Sequence, residues 1–222
     1  LSFNYEMLSS KQVGRKLSFK SKKSVSELYS TNKNLDDGSF EELKKHAVDI
    51  SKYNIYYSDI PDTVESIEKT IIGLQKALNL PLIVFLDHTR LVKSIQGKSE
   101  FDTLNDLANM CVKVKKQIKC SIFLISQLNR EIEKPERCQK PQGHFPQRSD
   151  LFGADSLYQG SDYVMVAHRP ELLHIKEYGI EKLPTKDRIY LHILKNRDGE
   201  VGIIPYFNNS LHFLVFYLQI GR

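Results

Sequence analysis

The sequence predicts an α/β fold: a mostly parallel, twisted sheet flanked by helices, with an antiparallel hairpin near its carboxyl end. Three observations predict it. First, Leu82 to Leu86 is a continuous apolar run between Pro81 and Asp87, which reads as a strand buried on both faces. Sheets buried on both faces are usually parallel and helix-covered. Second, the form recurs: Ser121 to Gln127 ends in an amide, and Leu1 to Glu6 ends in an acid. Third, a short strand, a helix and a strand follow one another from Ile55 to Asp87, the order of a parallel crossover. Ligands gather at the carboxyl ends of such strands, so Glu6, Asp87 and Gln127 are expected at one rim.

Composition narrows the class. The chain has 222 residues, 41% hydrophobic and 27% charged, enough for one large domain spanning residues 1–222. No apolar run approaches the ~20 residues needed to cross a bilayer. Asn4 and Glu6 break the first apolar stretch, so no signal peptide is expected, nor any membrane contact. Leu1 is not a methionine and opens in mid-strand, which reads as an amino-terminally trimmed fragment. The net charge of +5 permits nucleic-acid binding without requiring it. Cys111, Cys120 and Cys138 lack metal-type spacing and read as reduced thiols of a cytoplasmic protein.

The elements follow in order. Ser9 to Phe19 reads as a helix with Ser9 or Ser10 as N-cap. Lys11, Arg15, Lys16, Lys20, Lys22 and Lys23 run along this region without an acid among them, as a phosphate contact or a solvated face. Ser24 to Ser30 reads as a short helix. Gly38 to Ser51 is amphipathic, with Phe40, Leu43, Ala47 and Ile50 at helical spacing. Ile55 to Tyr57 is a short strand. Thr63 to Leu78 carries Val64, Ile67, Ile71, Leu74 and Leu78 on one stripe. A loop holding Arg90, Lys93 and Lys98 precedes a helix marked by Phe101, Leu104, Leu107, Cys111, Val114 and Ile118. Asn129 to Asp150 is a long polar loop, functional or disordered. Leu151 to Asp162 is helix or loop, and Tyr163 to Ala167 is a strand. Arg188 to Lys195, a two-residue Asp198-Gly199 turn and Val201 to Phe207 form a hairpin, with one more strand at Phe213 to Tyr217.

The rim carries chemistry. A carboxylate ending a buried strand, Asp87, can hold magnesium directly or through water. A second acid, Glu6, can act as general base on water. An amide, Gln127, can sense a terminal phosphate. Together these are the inventory of a nucleotide hydrolase.

At this point a resemblance becomes specific. Phe3-Asn4-Tyr5-Glu6-Met7, Leu86-Asp87-His88, Ser126-Gln127-Leu128-Asn129-Arg130, Ser149-Asp150-Leu151, Gln159-Gly160-Ser161-Asp162 and Lys195-Asn196-Arg197-Asp198-Gly199 with Gly202 occur in order along nearly the whole chain. The sequence resembles the RecA-like P-loop ATPase domain of hexameric replicative DNA helicases of the DnaB type. The resemblance implies ATP and Mg2+ as cofactors, Glu6 as catalytic base, Asp87 at the magnesium and Gln127 reading the terminal phosphate. It implies that Lys195 and Arg197 serve a neighbouring subunit's nucleotide, as an arginine finger and its partner, in a ring of six. Single-stranded DNA would pass through the ring, with Arg90, Lys93 and Lys98 in one loop and Arg130, Lys140 and Arg148 in the other as candidate contacts. A primase, a helicase loader and 5′ to 3′ polarity are implied by the family alone.

Departures accompany it. The family's Gly-x-x-x-x-Gly-Lys-[Ser/Thr] phosphate loop does not occur in these residues, and Gly14-Arg15-Lys16 lacks its spacing. Little or no ATP hydrolysis is expected from residues 1–222 alone. Phe152-Gly153 stands where the bacterial enzymes have Arg-Glu, His88 and Arg90 replace Tyr and Gln, and the Gln159 to Asp162 segment is closer to phage and mitochondrial primase-helicases. A RecA-like paralogue without ATPase activity, acting as scaffold or loader, is the competing reading, and a strand-exchange or clock-type RecA relative is a third.

Overall fold

β1 (Ser2–Asn4), β2 (Tyr57–Ser58), β3 (Leu82–Asp87) and β4 (Cys120–Ile125) build a sheet in the order β2-β1-β3-β4, parallel at every pairing. The computed structural model describes residues 1–29, 35–152, 155–209 and 214–217. They fall into two compact units, Leu1–Ile125 together with Leu214, and Ser126–Asn209 together with residues 215–217. Ser30, Gly153 and Phe213, which belong to expected features, lie outside the described residues.

In the first unit the helices are α1 (Ser9–Ser21), α2 (Val25–Tyr29), α3 (Asp37–Ser51), α4 (Val64–Leu78) and α5 (Glu100–Gln117). Local chemistry starts three of them. Asp36 accepts from Ser39 N, Thr63 accepts from Ser66 N, and Ser99 forms a reciprocal capping box with Asp102. α1 differs from expectation. Ser9 lies inside the helix and makes no cap; Asp59, just beyond β2, accepts from Ser9 N at 3.0 Å and Ser9 Oγ at 2.8 Å. A carboxylate distant in sequence thus satisfies the helix terminus. Gly14 sits mid-helix, where a Cβ would collide with the Tyr29 phenol, so its role is close packing.

The core of this unit gathers Phe3, Ile67, Ile71, Val84, Leu86, Leu104, Leu107 and Val114. Two expectations need correction. β3 is buried on one face only: Leu82, Val84 and Leu86 are covered, while Ile83 is 58% and Phe85 41% exposed. On β4, Phe123 (51%) and Ile125 (45%) are exposed too, and Phe85 stacks on Phe123 with centroids 4.9 Å apart. An apolar run reports hydrophobicity but not the number of layers covering it. The α3 stripe is also largely solvent-facing, since only Ile50 is buried and Phe40 and Ala47 are exposed.

In the second unit, β5 (Tyr163–His168), β8 (Arg188–Asn196), β9 (Gly202–Asn209) and β10 (Leu214–Tyr217) form a sheet in the order β10-β9-β8-β5. β5 with β8 and β8 with β9 are antiparallel. β6 (Glu177–Tyr178) and β7 (Leu183–Pro184) pair separately. Ile175, Tyr178 and Tyr190 are the buried centre, with Cys138, Phe145, Leu173, Leu183 and Ile203 packed on it. Residues 129–150 are ordered into short helical turns, including α6 (Pro135–Cys138), and α7 (Asp155–Gly160) follows. The expected two-residue turn is not formed. Ile193 and Gly202 are the last β8–β9 partners, so the connection takes residues 194–201. Asn196 spans it, accepting from Asp198 N and donating to Glu200 O. No described helix is long and apolar enough to cross a membrane.

Candidate functional site

Parallel pairing places Asn4 beside Asp87 and Asp87 beside Ile125. The chain then closes over the β3 end: Tyr5 N and Glu6 N donate to Asp87 O at 2.7 and 3.3 Å. The two acids that the sequence singles out therefore stand together. Asp87 is half-buried, and its carboxyl is pushed above the usual range, first by burial and then by the negative charge of Glu6. The charges of His88 and of Arg15 on α1 oppose the shift. His88 is buried, with Nε2 3.9 Å from Glu6 Oε2. Behind the rim, Asn4 donates to Asp59 at 3.3 Å.

A divalent cation beside Asp87 would offset the repulsion from Glu6 that contributes to that upward shift. No described cluster supplies three or more His, Cys, Asp or Glu groups. A cation here would take Asp87 and complete its shell from water or phosphate, as magnesium commonly does. The residues present fit that group.

Gln127 is exposed and belongs to the second unit, two residues along the chain from Ile125. The motif around it has a structural task as well. Asn129 N donates to Asp150 O at 2.7 Å, and Asn129 Nδ2 donates to Ser149 O at 2.6 Å. Two sequence motifs thereby close the neck of the 129–150 loop. Arg137 laces its interior, donating from Nε to Gly143 O, from Nη1 to Asp150 Oδ1 and from Nη2 to Phe145 O at 2.9, 2.5 and 2.8 Å. Asp150 also accepts from Gln147 N.

The hairpin cations dock on the segment from Tyr158 to Asp162. Lys195 Nζ donates to Tyr158 O at 2.7 Å and Gln159 O at 3.0 Å, at the carboxyl end of α7. Arg197 Nη1 pairs with Asp162 Oδ1 at 2.8 Å. The candidate DNA contacts divide. Arg90 pairs with Glu100, Lys98 with Asp106, and Arg148 with Asp155 while lying over the Tyr158 ring. Lys93 acts electrostatically on Asp62, to whose carbonyl its own N–H donates. Arg130 and Lys140 are exposed. In the basic run of α1, Lys16 donates to Tyr57 Oη and Lys20 pairs with Asp49.

One feature escaped sequence reasoning. Tyr178 Oη lies 2.6 Å from His168 Nδ1 and 2.7 Å from His192 Nε2, all three residues buried. The phenol donates to one neutral imidazole and accepts N–H from the other. His144 stacks on Tyr178, and its Nδ1 accepts from Gly179 N at 3.0 Å. Gly179 needs its positive φ of 74° and leaves no room for a Cβ against Phe145. Burial pushes His168 and His192 down to about 4. Four polar aromatic residues spread over 49 positions carry no local signal. The three cysteines are free, and burial pushes Cys111 up to about 12.

Comparison with known proteins gives one consistent result. A family model, the DnaB-like helicase C-terminal domain, matches residues 1–214. The replicative DNA helicase DnaB of Buchnera aphidicola subsp. Baizongia pistaciae is 29% identical over 161 residues, 70% of this chain and 31% of that protein. DnaB of Mycobacterium leprae is 31% identical over 173 residues, 76% of this chain and 27% of that protein. The chain thus spans less than a third of the length of these relatives. Two solved structures share the fold. One, an ATPase domain, aligns at TM-score 0.83 and 18% identity, over 98% of this chain and 74% of that one. The other, a DnaB-like replicative helicase studied for its interactions with primase, aligns at 0.82 and 18%, over 98% and 50%.

Proposed function

The chain belongs to the DnaB-like helicase C-terminal domain family, and on that premise we propose that it is the motor portion of a replicative DNA helicase. It couples ATP hydrolysis to movement along single-stranded DNA and to duplex unwinding, 5′ to 3′, in a cytoplasmic ring of six. The observation that carries the reading is the meeting of Glu6 and Asp87 at the carboxyl ends of β1 and β3.

Each residue then has a physical task. Magnesium, when bound with ATP, neutralises phosphate charge and draws electrons from the terminal phosphorus. Asp87 holds that cation's shell. Glu6, exposed and beside a second negative charge, accepts the proton of the attacking water. Gln127 senses the terminal phosphate. Arg197, supported by Lys195, places positive charge on the phosphates of the adjacent subunit. Arg130 and Lys140 meet the DNA backbone directly. Arg90, Lys98 and Arg148 exchange an internal carboxylate for a phosphate, and Lys93 adds charge in the loop that carries Arg90 and Lys98. Primase and a loader are partners of the assembled protein.

The test is Glu6→Gln in the full-length protein. ATP binding is expected within about threefold of the parent and turnover at least about 100-fold lower, as for loss of a general base. Undiminished turnover would refute the assignment. A scaffold or loader without ATPase activity is the competing reading. Nucleotide binding by the full-length protein separates the two.

A further inference from the structure

We propose that Asp162 is a positioning residue for Arg197, aiming the guanidinium that the hairpin delivers to a neighbouring subunit. The inference rests on the finger reading of Arg197 given above and adds a residue that acts only through it.

The geometry is a two-point hold. Arg197 N donates to Asp162 O at 3.0 Å while Arg197 Nη1 meets Asp162 Oδ1 at 2.8 Å. The same residue thus fixes both the backbone and the head of the long side chain. Three further contacts prepare the site. The β5–β8 register shifts between Val164 and Met165, so that Lys195 faces Val164 and Ile193 faces Met165. Such an extra residue re-aims the side chains that follow it. Tyr158 Oη donates to Leu194 O at the shift, at 3.1 Å. Lys195 is tied to the carbonyls of Tyr158 and Gln159. The short segment from Tyr158 to Asp162 therefore grips three successive elements of the hairpin stem: the shifted residue, Lys195 and Arg197.

A stability role does not explain the outermost grip. Arg197 and Asp162 are both substantially exposed, and exposed ion pairs contribute little to folding. Their effect is instead on where the guanidinium stands. An arginine has five N–H donors. The tether to Asp162 engages Nη1, so a phosphate can be met by the remaining donors without breaking the hold. Orientation before contact is what a group acting across an interface requires, because a misplacement of about 1 Å costs up to 100-fold in rate.

The experiment uses the full-length ring and measures DNA-stimulated ATP turnover for the parent, Asp162→Asn, Arg197→Ala and the double variant. Asp162→Asn is expected to lower kcat about tenfold with KM for ATP within twofold. The double variant should be no slower than Arg197→Ala alone, and Asp162→Glu should recover at least half the loss. A variant that fails to assemble by itself is read in rings doped with the parent. Turnover by Asp162→Asn within twofold of the parent, with Arg197→Ala defective, overturns the positioning role alone. So does a double variant tenfold below Arg197→Ala, since Asp162 would then act through another group. Full turnover by Arg197→Ala removes the finger reading, and the positioning role falls with it.

Discussion

Acidification should loosen the second unit through its buried histidines. His168 and His192 are buried neutral, with pKa values pushed down to about 4 by burial, against 6.5 for an exposed imidazole. Their folded values lie below their unfolded values, so the unfolded chain binds more protons between those limits. Stability therefore falls as pH drops through about 6.5 and stops falling near 4. Between pH 7 and 5 the linkage integral is about 2 kcal/mol per histidine, and about 3–4 kcal/mol for the pair. The contacts give the same direction: two imidazoliums would both donate to Tyr178 Oη, leaving the phenol hydrogen without an acceptor. Urea denaturation at pH 7 and 5, followed by amide exchange in β5 and β8, measures the difference. Replacing both histidines by Phe should shrink it to less than half. Equal midpoints at the two pH values in the parent protein would refute the buried-neutral account.

Three other substitutions probe other links. Arg137→Met strands the Asp150 carboxylate, whose side chain is 1% exposed, so a loss of about 3–5 kcal/mol is expected in denaturation; a loss under about 1 kcal/mol would contradict it. Asp87→Asn should abolish turnover yet raise the denaturation midpoint at pH 7. Its folded pKa is raised, so ionised Asp87 costs stability above that pKa, and the gain should vanish at pH 3, where both states are protonated. Glu6→Gln, at an exposed position, should change stability at pH 7 by no more than about 0.5 kcal/mol, towards higher stability because it relieves repulsion on Asp87, while turnover falls at least about 100-fold.

What could be read from the sequence follows from the range of the forces involved. α4 and α5 announce themselves through caps within four residues and apolar stripes at helical spacing. Glu6 and Asp87 were legible because each ends an apolar strand, and parallel pairing brings strand ends together. Gln127 lies two residues past the end of β4, in the second unit. Distant partners were not legible. Asp59 caps α1 from 50 residues away, and Arg137 acquires its purpose only when the 129–150 loop folds back on it. The hairpin connection was misjudged because Asp-Gly favours a tight turn locally, whereas the Asn196 side chain and the β5 register hold the wider one. Arg197 stood out only through the family resemblance, and its Asp162 anchor carried no signal because nothing local links the two residues.

The half-covered central strand has a consequence for how substitutions should be tolerated. From Leu82 to Leu86 the letters look interchangeable, yet in the 222-residue chain only every second one is buried. A polar replacement at Ile83 should cost well under about 1 kcal/mol and one at Phe85 about 1 kcal/mol through its lost stack on Phe123, whereas Val84 or Leu86 to Ala should cost about 2–5 kcal/mol. A saturation scan across β3 would therefore oscillate with a two-residue beat, cheap and ruinous in turn.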